Sequence, residues 1–171
     1  MILTIDVGNT NIKVAVFKQV NLIEKFVFQK NELKNNFKNI LKKYPNCTKA
    51  VLSSVGKLDE NDILWLKSYL NLLEIGHDSV FPFINLYGSP KTLGIDRMVL
   101  AAGAVLLYPN QNTLIIDAGT CVTYDFVTSS NEYLGGAISP GLRLRYESLH
   151  NFTAKLPLLT KKAPENFIGN T

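Results

Sequence analysis

The chain has 171 residues, a formal net charge of +4 and 46% hydrophobic side chains. That composition excludes intrinsic disorder, and the length accommodates one globular domain or two small lobes. The longest uncharged apolar run, Met98 to Tyr108, has 11 residues, about half of what a membrane-spanning helix needs, so no membrane span is expected.

Met1 to Asp6 reads as an apolar strand that ends in a carboxylate. Val7 to Asn11 is a tight turn, and Gly8-Asn9 points to a primed hairpin with positive φ. Ile12 to Phe17 alternates as the second strand, and Asn21 to Gln29 reads as a third. Leu33, Phe37, Ile40 and Leu41 recur at helical spacing between Asn31 and Tyr44, where Pro45 stops the helix. Lys49 to Val55 is a short buried strand. Asp59 to Leu73 is an amphipathic helix with Asp59 at its N-cap. After a polar loop from His77 to Gly94, Ile95 to Tyr108 forms a helix apolar on most sides, hence expected to be buried. Thr113 to Asp117 and Cys121 to Val127 are strands around the turn Ala118-Gly119-Thr120. A glycine-rich stretch, Tyr133 to Gly141, precedes a helix from Leu142 to Asn151, and Leu156 to Thr171 reads as loop.

One pattern occurs twice: an apolar strand ends in Asp, a turn carries Gly and Thr, and a second strand leads away. Its aspartates, Asp6 and Asp117, are 111 residues apart. Two such hairpins, one per lobe, would face each other across a cleft. A carboxylate at a strand end beside closely approaching backbone suits a hydrated cation. The Gly8-Asn9-Thr10 turn offers backbone N–H groups to an anion, with Thr10 and Thr120 hydroxyls and Lys13 in support. Phosphate with a divalent metal is the ligand these parts fit. The usual single-loop nucleotide signatures are absent, so a nucleotide site here must be built from paired hairpins. Asp96 and Arg97 open the apolar helix. An Asp that accepts a hydroxyl proton, beside an Arg that binds anions, suits phosphoryl transfer to an alcohol. The plainer alternative is that Asp96 only complements the helix dipole.

The positive charge is local. Eight lysines from Lys18 to Lys49 face two glutamates, and the chain has only three arginines. That is a solvated helix surface rather than a nucleic-acid footprint, so no nucleic-acid partner is expected. Cys47 and Cys121 build neither a disulfide framework nor a metal knuckle, and no leader sequence is expected ahead of the first strand. A cytoplasmic location is the expectation.

Taken in order, Asp6-Val-Gly-Asn-Thr10, Tyr87-Gly-Ser-Pro90, Leu93-Gly-Ile-Asp-Arg97, Asp117-Ala-Gly-Thr120 and Gly135-Gly-Ala-Ile-Ser-Pro-Gly141 resemble the type III pantothenate kinases. Leu149 and Thr153-Ala-Lys-Leu-Pro157 extend that resemblance over essentially the whole chain. The opening hairpin alone would match many members of the sugar kinase, actin and Hsp70 superfamily.

The resemblance implies an α/β fold of two ribonuclease H-like lobes, as in acetate and sugar kinases and actin. Residues 1–112 would be the N-terminal lobe and residues 113–171 a second lobe, incomplete at its C-terminal end. It implies ATP-dependent phosphorylation of pantothenate to 4′-phosphopantothenate, the first step of coenzyme A biosynthesis. Asp96 would then be the general base, and Arg97, Gly94 and Tyr87 would hold pantothenate. Asp6, with Gly8, Asn9, Thr10 and Lys13, would position the phosphates of ATP and its Mg2+. Asp117 would bind a monovalent cation, K+ or NH4+, while Gly119 and Thr120 line the phosphate site. A homodimer is also implied. The chain stops at Thr171, inside a segment where the family's pattern is cut, so contact of Thr171 with substrate stays open. Two alternatives remain: a kinase of the same superfamily acting on another small alcohol or an acid, and a non-catalytic accessory relative. Loss of a key acid would mark the latter, and Asp6, Asp96 and Asp117 are all present.

Overall fold

The computed structural model describes residues 1–56, 58–163 and 165–168. Two sheets and four α-helices account for its architecture. β1 (Ile2–Val7), β2 (Asn11–Lys18) and β3 (Asn21–Gln29) form an antiparallel meander, as their alternating side chains predict. α1 (Leu33–Lys43) leads to β4 (Lys49–Ser54), which lies parallel to β1. α2 (Glu60–Tyr69) then leads to β5 (Asn71–Glu74), parallel to β4. The order of the first sheet is β3-β2-β1-β4-β5.

Alternation along β1 and β2 sends Leu3, Ile5, Val7, Ile12, Val14 and Val16 to one face. There they pack against Leu33, Phe37 and Ile40 of α1 and Leu66 of α2 to form the first core. The Asp59 carboxylate caps α2 by accepting the Asn61 N–H at 3.0 Å. The opposite face of the sheet carries Thr4, Asp6, Val51 and Ser53. It opens onto a cavity of about 440 Å3, closed from the other side by Val99 and Ala102 of α3 (Ile95–Leu107).

The second sheet has the order β6-β9-β8-β7. Its strands are β6 (Ile84–Asn85), β7 (Thr113–Ala118), β8 (Cys121–Val127) and β9 (Glu132–Pro140), and α4 (Leu142–Asn151) follows. Ile95, Met98, Ala101 and Val105 of α3 pack with Phe83, Leu93, Val127 and Tyr133 to form the second core. Helix α3 therefore lies between the two sheets. No helix among the described residues is long and apolar enough to cross a membrane.

Four expectations need correction. The first hairpin is not a primed turn, because no residue from Gly8 to Asn11 has a positive φ. The Val7 carbonyl accepts the N–H groups of Val55 and Gly56 at 3.1 and 3.0 Å, so the neighbouring chain shapes the turn. The helix expected to reach Leu73 stops at Tyr69. Asn71 N–H donates to Thr48 carbonyl at 2.8 Å, and pairing with β4 overrides helical propensity from there on. The glycine-rich stretch is most of strand β9, bulged near Phe126 and Val127. Its Gly135 has φ +116, and a Cβ there would stand 3.0 Å from the Tyr87 ring. Finally, α3 is not buried along its whole length, since Leu106 and Leu107 at its C-terminal end are exposed.

Candidate functional site at the N-terminus of α3

Gly94 is the N-cap of α3, with extended backbone and no side-chain cap. It leaves room for the residue two places on: a Cβ at position 94 would collide with the Asp96 carboxylate. Asp96 Oδ1 accepts the Arg97 N–H at 2.9 Å, so the carboxylate is held over the first turn. There the helix dipole favours negative charge.

Both hairpin aspartates lie within electrostatic reach of this helix start. Asp6 lies on the cavity side of the first sheet, the side that α3 covers. Asp117 shares a face of β7 with Ile115, which packs into the core around α3. Burial pushes the Asp96 pKa up, and the negative charges of Asp6 and Asp117 push it further in the same direction. The Arg97 N–H and guanidinium oppose that rise without cancelling it. The Asp96 carboxylate thus feels the negative charge of two acids on separate elements. Among the described residues, however, no group of three acidic, His or Cys side chains is arranged to hold one metal ion.

The hairpins differ in what they set opposite their aspartates. Asp6 pairs across the strands with Lys13, whose Nζ is 3.4 Å from its carboxylate. Asp117 pairs across the strands with Thr123 and has no ion-pair partner among the described residues. Gly8 N–H is used inside its turn by the Asn11 carbonyl at 3.0 Å, and Gly119 N–H by the Cys121 carbonyl at 2.8 Å. The anion nest expected at Gly8-Asn9-Thr10 is therefore smaller than the sequence implies. Asn9 and Thr10 at one tip, and Thr120 at the other, remain exposed.

Arg97 departs from expectation. It is only 5% exposed, and its side chain runs from α3 to β8. Its Nε donates to both oxygens of Asp125, at 2.9 and 3.2 Å, and Nη2 lies 2.7 Å from Oδ1. Asp125 is fully buried and also accepts the Tyr133 hydroxyl. Tyr87 lies 6.0 Å from the guanidinium carbon, and its ring meets Tyr133 edge-on. Burial alone would lower the Arg97 pKa, but the Asp125 carboxylate outweighs it and the value rises. The Tyr133 hydroxyl is pushed far up by burial and by Asp125.

The structure thus brings together Tyr87, Gly94, Asp96 and Arg97, with Asp6 and Asp117 within electrostatic reach of Asp96. Thr171 lies outside the described residues. Asp125 and Tyr133 were missed in the sequence, although a signal exists. Aspartate is disfavoured within strands, and Asp125 shares its face of β8 with the buried Thr123 and Val127. A buried carboxylate needs a cation, and Arg97 is the only arginine before residue 143.

The architecture is that of a mixed α/β protein with two sheets, consistent with an actin- or sugar kinase-like fold. Residues 2–171 match the family described as type III pantothenate kinase. The Flavobacterium johnsoniae type III pantothenate kinase is 57% identical over 171 residues, covering all of this chain and 70% of that protein. The Bacteroides fragilis type III pantothenate kinase is 40% identical over 169 residues, covering 93% of this chain and 65% of that protein. The chain belongs to the type III pantothenate kinase family. Among solved structures, it resembles a Campylobacter jejuni protein assigned to the Baf family of transcriptional activators. That match has a TM-score of 0.56 and 22% identity, covering 99% of this chain and 69% of that one. The ethanolamine utilization protein EutJ of Carboxydothermus hydrogenoformans matches with a TM-score of 0.52 and 12% identity, covering 91% of this chain and 57% of that one. These two likenesses concern the fold alone.

Proposed function

We propose that the chain transfers the γ-phosphoryl group of ATP to the primary hydroxyl of pantothenate at the N-terminus of α3. The observation that carries this reading is the half-buried Asp96 carboxylate at that helix start, held by the Arg97 N–H and within electrostatic reach of Asp6 and Asp117. Repulsion among carboxylates is relieved when a cation-bearing polyphosphate enters, so the site favours such a ligand.

Asp96 accepts the hydroxyl proton. Its partial burial makes it a stronger base than a solvated aspartate. The freed oxygen attacks the γ-phosphorus, the bond to the bridging oxygen breaks, and ADP leaves. Positioning and charge neutralisation supply most of the acceleration in such a transfer. Gly94 and Tyr87 shape the pantothenate pocket, and Arg97 binds the substrate's one anionic group, its carboxylate. Gly8, Asn9, Thr10, Gly119 and Thr120 line the phosphates.

The donor set fits a hydrated divalent ion, because Mg2+ keeps waters and takes one or two carboxylates with substrate phosphates rather than a protein cage. Asp6 would hold it, with Lys13 beside the phosphates; when bound, the ion neutralises phosphate charge. Asp117, which has no protein cation opposite it, would hold K+ or NH4+. Residues 1–112 and 113–171 are read as two ribonuclease H-like lobes around this cleft, and the active form as a homodimer. The two free thiols, Cys47 and Cys121, agree with residence in the cytoplasm.

Coupled measurement of ADP release with pantothenate, Mg-ATP and K+ tests the assignment. Asp96→Asn should lower turnover by about 10²- to 10⁴-fold. Unchanged turnover in that variant would remove Asp96 from the role of base.

A further inference from the structure

We propose that Asp125 is a positioning residue for pantothenate recognition, gripping Arg97 along its Nε–Nη2 side so that the far end of the guanidinium, Nη1 with the second N–H of Nη2, is directed to the substrate carboxylate. This inference rests on the reading that Arg97 binds pantothenate.

The geometry divides the guanidinium into a used edge and an available one. Asp125 engages Nε with both of its oxygens. Tyr133 donates its hydroxyl to the same carboxylate from the neighbouring strand β9. Tyr87 covers the guanidinium at 6.0 Å, and its ring is backed by Tyr133. Nη2 sits 2.7 Å from Asp125 Oδ1 but makes no aligned hydrogen bond, and solvent does not reach it. A buried donor left without an aligned acceptor is costly unless a ligand supplies one. A planar carboxylate is the acceptor whose shape matches a guanidinium edge.

Stability does not account for the arrangement. A buried ion pair replaced by apolar groups of similar volume is often neutral or more stable. What Asp125 and Tyr133 do is lock a long, rotamer-rich side chain before substrate arrives. The ordering cost of Arg97 is then met in folding rather than in binding. They also offset its charge, so the remaining N–H groups select an acceptor by direction rather than by attracting any anion.

The test compares steady-state kinetics on pantothenate with those on pantothenyl alcohol, which lacks the carboxylate. Arg97→Ala should raise KM for pantothenate at least about tenfold and abolish the preference for pantothenate over the alcohol. Asp125→Asn should raise KM for pantothenate about tenfold, reduce that preference, and leave KM for ATP unchanged. The double variant should be no worse than Arg97→Ala alone. Tyr133→Phe keeps the ring in the core, and should reduce the preference roughly two- to fivefold.

An Asp125→Asn enzyme with unaltered preference, or a double variant whose losses simply add, overturns the positioning role while leaving Arg97 as the substrate ligand. If Arg97→Ala itself keeps the preference, the reading of Arg97 fails and this inference falls with it. Should Asp125→Asn not fold, Tyr133→Phe decides: an unchanged preference there overturns the proposal.

Discussion

The hairpins β1–β2 and β7–β8 carry the same short pattern but occupy unlike places. β1 is central in its sheet, flanked by β2 on one side and parallel β4 on the other. Its Leu3, Ile5 and Val7 are sealed beneath α1 and α2. β7 is at the edge of its sheet, and its Leu114 and Ile116 are 58% and 57% exposed on the face turned away from α3. A local motif therefore sets the turn and the carboxylate, while the surrounding elements decide how firmly that carboxylate is held. The cross-strand neighbours make the same point: Asp6 faces Lys13, and Asp117 faces Thr123.

The largest expected contrast is in stability. Leu3→Ala should cost about 2–5 kcal/mol in urea unfolding, because a fully buried side chain leaves a cavity. Ile116→Ala should stay within about 0.5 kcal/mol of the parent. Equal losses would mean that the outer face of β7 is covered in solution, and the contrast would collapse.

A smaller contrast concerns ions. Asp6→Asn and Asp117→Asn should each lower kcat/KM, by roughly 10- to 100-fold. They should do so differently, however. Asp6→Asn should raise the Mg2+ concentration needed for half-maximal rate, whereas Asp117→Asn should flatten the response to K+. Identical ion profiles for the two variants would show that the hairpins share one cation.

The finest contrast is in pH dependence. If Asp96 is the proposed base it must be deprotonated to act, so kcat/KM should rise with pH through its pKa in the free enzyme. Burial and the neighbouring acids raise that pKa, so the acid limb should lie above the position set by an ordinary aspartate. Asp117→Asn removes one raising charge and should move the limb to lower pH. Asp59→Asn, at the N-cap of α2, should leave it in place. A limb unaffected by Asp117→Asn would separate the second hairpin from the base.

Much of this was legible because it is local. The alternation of β1, β2 and β8, the period of α1 and the Asp59 cap follow from side-chain spacing, and the structure keeps them. Strand β5 was not legible, since Leu70, Leu72 and Leu73 satisfy either period and only the edge of β4 selects one. Strand β9 was hidden by its glycines. These weaken strand propensity, yet Gly135 admits the Tyr87 ring that stands against Arg97. Tyr87, Gly94, Asp96 and Arg97 are together because three of them open one helix and the fourth approaches over β9. Asp125 is 28 residues from Arg97, and no local rule connects them.

By itself the sequence determined the paired Asp-bearing hairpins, the helix that Gly94 opens and the family to which they belong. Backbone propensity and short-range spacing suffice for such features. Only the tertiary structure decided that α3 lies between the two sheets and that the charges of Asp6 and Asp117 reach Asp96. It alone decided that Arg97 is bound to a buried carboxylate. Electrostatic coupling and burial depend on distance in space, and for these residues that distance is set by how the two sheets pack around one helix.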